Sequence, residues 1–154
     1  MKLEEHILYS TIFAVIVFLA VKNIILIITF LISAILIDLD HLLDYFIFHP
    51  MDFIHPIQFL RKRIKYFLSC KWYKKKVFVF LHSFELVGST LALAILLNNK
   101  ILLFTTLGFS FHLLLDILGN VLKKRSIKKL RFYFLTYRAS KKFLVNKLLN
   151  VRNI

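Results

Sequence analysis

Four short segments carry residue types that can bind a metal ion, and each lies in or beside an apolar run. His112 and Asp116 are four residues apart, so on a helix they share one face. They fall within Ile101–Leu122, an apolar run long enough to cross a bilayer at about 1.5 Å rise per residue. Asp38 and His41 are three apart, as are His82 and Glu85, and Asp40 and Asp44 are four apart. Each of these pairs can also share a helix face. His6 heads the first apolar run. Neutral imidazoles and carboxylates at such spacings can hold one divalent ion jointly, or hydrogen-bond each other. Mixed nitrogen and oxygen donors suit zinc first, then manganese or iron, and thiolate is absent from the set.

Asp38 and Asp40 are two apart and point about 200° away from one another on a regular helix. Both reach one point only if the helix unwinds locally. One of them can then ligate while the other caps, pairs with Lys or supports a ligand. The ligands expected of a metal centre are His112, Asp116, His82 and either Asp38 or His41, with His6 a further candidate. Asp40 or Glu85 is the candidate general base. Plainer readings compete. A single His inside a membrane is more often a packing residue than a ligand. Asp44, near a helix end, can simply be solvated, and Glu85 can pair with a basic residue. Ser83 beside His82 makes a poor nucleophile–base pair, because neighbours on a helix point apart. Only the joint pattern favours metal.

The elements that must position these groups follow from composition and patterning. The chain has 154 residues, 59% hydrophobic, with three Gly, two Pro and one Cys. Its mean hydropathy is +0.74. Such a balance is foreign to soluble domains of this size and points to one integral-membrane domain. Cys70 alone permits no internal disulfide and fits the reducing side of a membrane. Glu4 and Glu5 precede the first apolar run, which therefore lacks the basic head of a cleaved signal peptide and is expected to stay.

The predicted fold is all-α: a four-transmembrane-helix bundle over residues 1–122, with a basic C-terminal tail over 123–154. The spans are Ile7–Val21, Ile24–Ile37 with helix continuing to Phe48, Val77–Leu97, and Ile101–Leu122. Lys22-Asn23 and Asn98-Asn99-Lys100 make tight turns, with Asn23 suited to the left-handed helix-ending conformation. Between spans two and three, the 49–76 loop carries Ile57, Leu60, Ile64, Phe67 and Leu68 at helical spacing among basic residues. It reads as an amphipathic interfacial helix anchored by Trp72 and Tyr73. The tail is amphipathic too, with Leu144, Leu148 and Val151 on one face.

The net charge of +14 resides in two blocks, Arg61–Lys76 and Lys123–Arg152, each beside an apolar run. That placement indicates topology signals and contact with anionic lipid head groups rather than nucleic acid. By the positive-inside rule both termini and the 49–76 loop are cytoplasmic, in a cell or inner membrane. The topology then brings His6, the Asp38–Asp44 cluster, His82 with Glu85, and His112 with Asp116 to the same half of the bilayer. Association into a homo-oligomer is compatible with the sequence.

Glu5-His6-Ile7-Leu8, Ile37-Asp38-Leu39-Asp40-His41, Leu81-His82-Ser83 and Phe111-His112-Leu113-Leu114-Leu115-Asp116 also occur in a telling order. Over residues 1–122 the chain resembles the membrane-bound metal-dependent hydrolases of the LexA-regulated inner-membrane family. The resemblance implies site roles for His6, Asp38, Asp40, His41, His82, Ser83, His112 and Asp116. Two departures are clear: the family's His-Arg-Gly before the span-three His reads Val77-Phe78-Val79, and its Pro before the first Asp reads Ile37. The His-x-x-x-Asp pattern is also similar to one in zinc-dependent phospholipases C.

These readings converge on an expected metal-dependent hydrolase acting on a lipid or lipid-linked phosphoester at the inner leaflet. The alternative is a non-catalytic membrane protein, a scaffold or a metal or proton carrier, with a buried His/Asp network. Nucleic-acid binding ranks last.

Overall fold

The structure is a computed structural model that describes residues 3–48, 78–119, 127–144 and 148. The expected interfacial helix of the 49–76 loop and the expected boundary at residue 122 lie outside the described residues. So does Val151 of the tail face.

The described residues are all-helical, with no strand among them. Helix α1 (Leu3–Val21) turns at Lys22-Asn23 into α2 (Ile24–Leu36). A break at Ile37-Asp38 separates α2 from α3 (Leu39–Phe48). Later come α4 (Phe84–Leu96) and α5 (Lys100–Ile117). A 3₁₀ segment (Ile127–Tyr133) and the short α6 (Leu135–Ser140) follow.

Three helical stretches are long and apolar enough to cross a membrane: Glu4–Val21, Ile24–His41 and Lys100–Ile117. Helix α4 is apolar but has 13 residues, about 20 Å, where the hydrocarbon core needs about 30 Å. It starts seven residues later than the sequence suggests, because Ser83 takes an extended conformation and its side chain caps the Leu86 amide. His82 therefore sits in a turn, not on the helix.

Both tight turns use Asn, and at the first the left-handed residue is not the expected one. Lys22 takes the left-handed conformation at φ 52°, while Asn23 is extended and caps the Ile25 and Leu26 amides. At the second turn Asn98 is left-handed at φ 45° and Asn99 caps Ile101 and Leu102. The side-chain carbonyl of Asn matters more at the start of the next helix than its tolerance of positive φ at the end of the last.

Beside an apolar core that includes Phe30, Ile37 and Leu113, the structure buries polar groups and exposes many aliphatic ones. Leu19, Ile25, Ile95 and Leu96 are exposed, whereas His6, Asp38, His82, His112, Asp116 and Arg138 are buried. Polar groups inside and aliphatic groups outside is the arrangement that lipid favours.

The most extensive helix pairing is α2 against α5. Gly108 makes it possible. A Cβ there would collide with Ser33 Oγ, lie 2.6 Å from Phe30 O and 3.0 Å from Ala34 N. Small residues at such a crossing let two backbones approach closely. Phe13 stacks on Phe111 at 4.4 Å and leans on Phe30, which ties α1 to the same pair. One turn after Gly108 comes His112, so the close crossing also delivers that imidazole to α2. Gly108→Ala is expected to destabilise the protein by about 1–3 kcal/mol, read as earlier thermal unfolding in detergent.

Candidate metal centre

His112 is fully buried, and its Nδ1 lies 2.7 Å from the Ala34 carbonyl. A carbonyl oxygen only accepts, so Nδ1 carries the proton and Nε2 is left with a bare lone pair. The helix break makes this carbonyl available. In a regular helix Ala34 O would accept from the Asp38 amide, but that amide bonds to Ile35 O at 3.2 Å instead. The same unwinding lets Asp38 and Asp40 serve one site, as their two-residue spacing requires.

His82 is set up in parallel. Its Nδ1 donates to Asp40 Oδ1 at 3.2 Å, again leaving Nε2 bare. Asp40 Oδ2 accepts from the Leu81 amide at 2.6 Å. Asp40 thus orients His82, as a carboxylate behind a metal-ligating His does. Both its oxygens are occupied, so it is not poised as the general base that the sequence suggests.

The two bare Nε2 atoms face two carboxylates. His82 Nε2 is 3.7 Å from Asp38 Oδ1 and 3.6 Å from Asp116 Oδ2. His112 Nε2 is 3.7 Å from Asp38 Oδ1 and 3.9 Å from Asp116 Oδ2. Neither Nε2 has a hydrogen-bond partner among the described residues. Lone pairs and negative oxygens brought this close repel each other, and a cation between them would outweigh that repulsion. A proton would need an acceptor at about 3 Å, and the nearest of these oxygens is farther. A tetrahedral ion with ligands at about 2.0–2.2 Å separates them by roughly 3.3–3.6 Å, within a few tenths of what is seen. The charge fits as well, since two buried carboxylates match one divalent cation. Of these, His82, His112 and Asp116 form a group that could hold a metal ion.

Two imidazoles flank this quartet. His6 Nε2 donates to the other oxygen of Asp116 at 3.0 Å, and its ring stacks on His112 at 4.1 Å. His41 Nε2 lies 3.9 Å from Asp38 Oδ1, with its ring 4.5 Å from that of His82. Each flank forms a further possible ligand triad, His6 with Asp38 and His112, and His41 with Asp38 and His82. His41 is the least buried member, with 13% of its side chain exposed.

The structure brings His6, Asp38, Asp40, His41, His82, His112 and Asp116 together. It does not bring Glu85. The Glu85 carboxylate accepts from the Leu135 and Thr136 amides and the Thr136 hydroxyl, so it caps α6 and is not a free base. Ser83, the weak nucleophile candidate, has its hydroxyl committed to the α4 cap and to Phe80 O. Asp44 is buried rather than solvated, and both its oxygens accept from the Phe78 amide.

Arg138 is missed by sequence reasoning. It is fully buried and donates to the Phe78, Val79 and His82 carbonyls. Burial pulls its guanidinium below the usual value, and the Asp40, Glu85 and Asp44 carboxylates oppose that fall. Nothing in its neighbourhood in the chain marks it among 22 basic residues.

Comparison with protein families, with curated proteins and with solved structures finds no match to this chain.

Asp40→Asn is expected to weaken zinc binding by about 10–100-fold while helix content stays unchanged. Chelator competition on detergent-purified protein, with circular dichroism alongside, checks this.

Proposed function

We propose that this chain is a membrane-embedded metal-dependent hydrolase acting on a lipid or lipid-linked phosphoester. The observation that carries it is the buried quartet of His82, His112, Asp38 and Asp116, whose inward-facing atoms stand at cation-bridging distances. The resemblance to the membrane-bound hydrolase family, drawn from the ordered His and Asp motifs, supports the same reading. Zinc suits two imidazoles and two carboxylates best. A bound divalent ion supplies Lewis acidity toward a phosphoryl or acyl oxygen. The chain's own residues do the holding. Asp40 keeps the His82 tautomer, Ala34 O keeps that of His112, and His6 steadies Asp116. His41, at the least buried edge, marks the side from which a substrate would arrive.

The proposed topology is a four-span bundle in a cell or inner membrane, with α4 and the turn before it forming the third crossing. Both termini face the cytoplasm under the positive-inside rule. The quartet then sits toward the inner leaflet, where the basic segments 61–76 and 123–152 gather anionic head groups.

One observation favours a second, non-catalytic reading as a metal carrier or scaffold. Asp40 and Glu85, the carboxylates suited to act as general base, both have their oxygens engaged in structural hydrogen bonds.

Elemental analysis of detergent-purified protein decides the metal, and a phosphoesterase assay on lipid substrates decides turnover. Bound zinc is expected near one ion per chain, lost in His112→Ala and Asp116→Ala together with hydrolysis. Absence of any bound metal in the wild type overturns the proposal, and metal without turnover selects the carrier.

A further inference from the structure

The turn from Phe78 to His82 has its backbone fixed almost wholly by side chains from elsewhere. On the amide side stand two acids of α3: Asp44 takes the Phe78 N–H at 3.1 Å and Asp40 takes the Leu81 N–H at 2.6 Å. On the carbonyl side stands one residue of the C-terminal segment. Arg138 donates to Val79 O through Nη1 and to His82 O at 3.1 Å through Nη2, with a longer bond of 3.4 Å to Phe78 O. The planar guanidinium has a fixed fork of donors, which a lysine ammonium cannot reproduce at two or three carbonyls together.

The tie is reciprocal. Glu85, three residues after His82, caps the first turn of α6, the helix that carries Arg138. Tyr133 is buried in a cluster with Ile37 and Leu113, so the segment is seated in the core on both sides of α6's start. A buried cation of this kind is costly unless its donors are used. Here Nη1 and Nη2 are used on carbonyls of the turn, that of His82 included, while Nε has no partner among the described residues.

We propose that Arg138 is a positioning residue for His82, and that the segment Phe134–Phe143 is a latch that completes the metal centre. The basic tail is then part of the site and not solely a contact for lipid. Latch and ion are thermodynamically linked: if docking raises ion affinity, the ion stabilises docking by the same factor. The affinity arm rests on the metal reading above. The backbone arm does not.

The test uses the full chain in detergent, with wild type, Arg138→Gln, Arg138→Lys and, as a charge control, Arg131→Gln at an exposed position. Hydrogen exchange of the 78–86 backbone is read without metal, and affinity for zinc alone is read by chelator competition. Arg138→Gln is expected to speed exchange in 78–86 by about tenfold or more, with α1 and α2 unchanged, and to weaken zinc binding by about 10–100-fold. Arg138→Lys should recover only part of either, and Arg131→Gln should change neither. Zinc should slow exchange in 134–143 of the wild type. Unchanged 78–86 exchange in Arg138→Gln overturns the latch. So does zinc affinity equal to wild type. If Arg138→Gln fails to fold, Glu85→Ala, which removes only the α6 cap, is read by the same two measurements against the same limits. A wild type that binds no zinc sinks the metal reading, while the exchange result still decides the latch.

Discussion

The architecture rests on one electrostatic demand. Two imidazole nitrogens, those of His82 and His112, are buried within 3.6–3.9 Å of oxygens of Asp38 and Asp116. Such an arrangement is unfavourable by itself, because it combines desolvated charge with mutual repulsion. A cation at the centre would add attractions that outweigh those repulsions. Much of the surrounding structure can be understood as holding that geometry. The helix break at Ile37-Asp38 gives up a regular bond and releases Ala34 O for His112. The glycine at 108 draws α5 close enough to α2 for that bond to form. The turn before α4 gives up helix in order to aim His82.

The helices and the convergence of His and Asp were legible in the sequence because both depend on local spacing. Long apolar runs, Asn at the turns and carboxylates three or four residues from imidazoles are all short-range signals. The choice at Asp38 and Asp40, local unwinding or one ligand with one supporting carboxylate, was legible for the same reason, and the break falls at Ile37-Asp38. What escaped depends on distant partners. Glu85 looked like an acid on a span, but its partners Leu135 and Thr136 lie about fifty residues later. Asp44 looked terminal and solvated, yet the Phe78 amide, 34 residues away, buries it. His82 looked helical because its neighbours are apolar, and one capping hydroxyl at Ser83 displaced the helix start. Arg138 had no signal at all, since basic residues surround it on either side.

This asymmetry also redistributes the meaning of the charge. A net charge of +14 invites a reading in which every Lys and Arg serves a surface. At least one does the opposite. Arg138 sits fully buried among backbone carbonyls, facing the acids of α3 and α4. The buried acids are then shared out: Asp40 and Asp44 act on the backbone of one turn, while Asp38 and Asp116 lie against the imidazoles of His82 and His112.

The residues of the cluster are far apart in the chain, with His6 joined to Asp116 across 110 positions. A polypeptide emerges from the ribosome amino end first. The opening helix therefore enters its surroundings with an imidazole whose counterpart has not yet been made, and the acids of α3 wait through dozens of further residues. The contact between His6 and Asp116 therefore cannot form until residue 116 has been translated, whereas Asp40 can meet His82 far sooner.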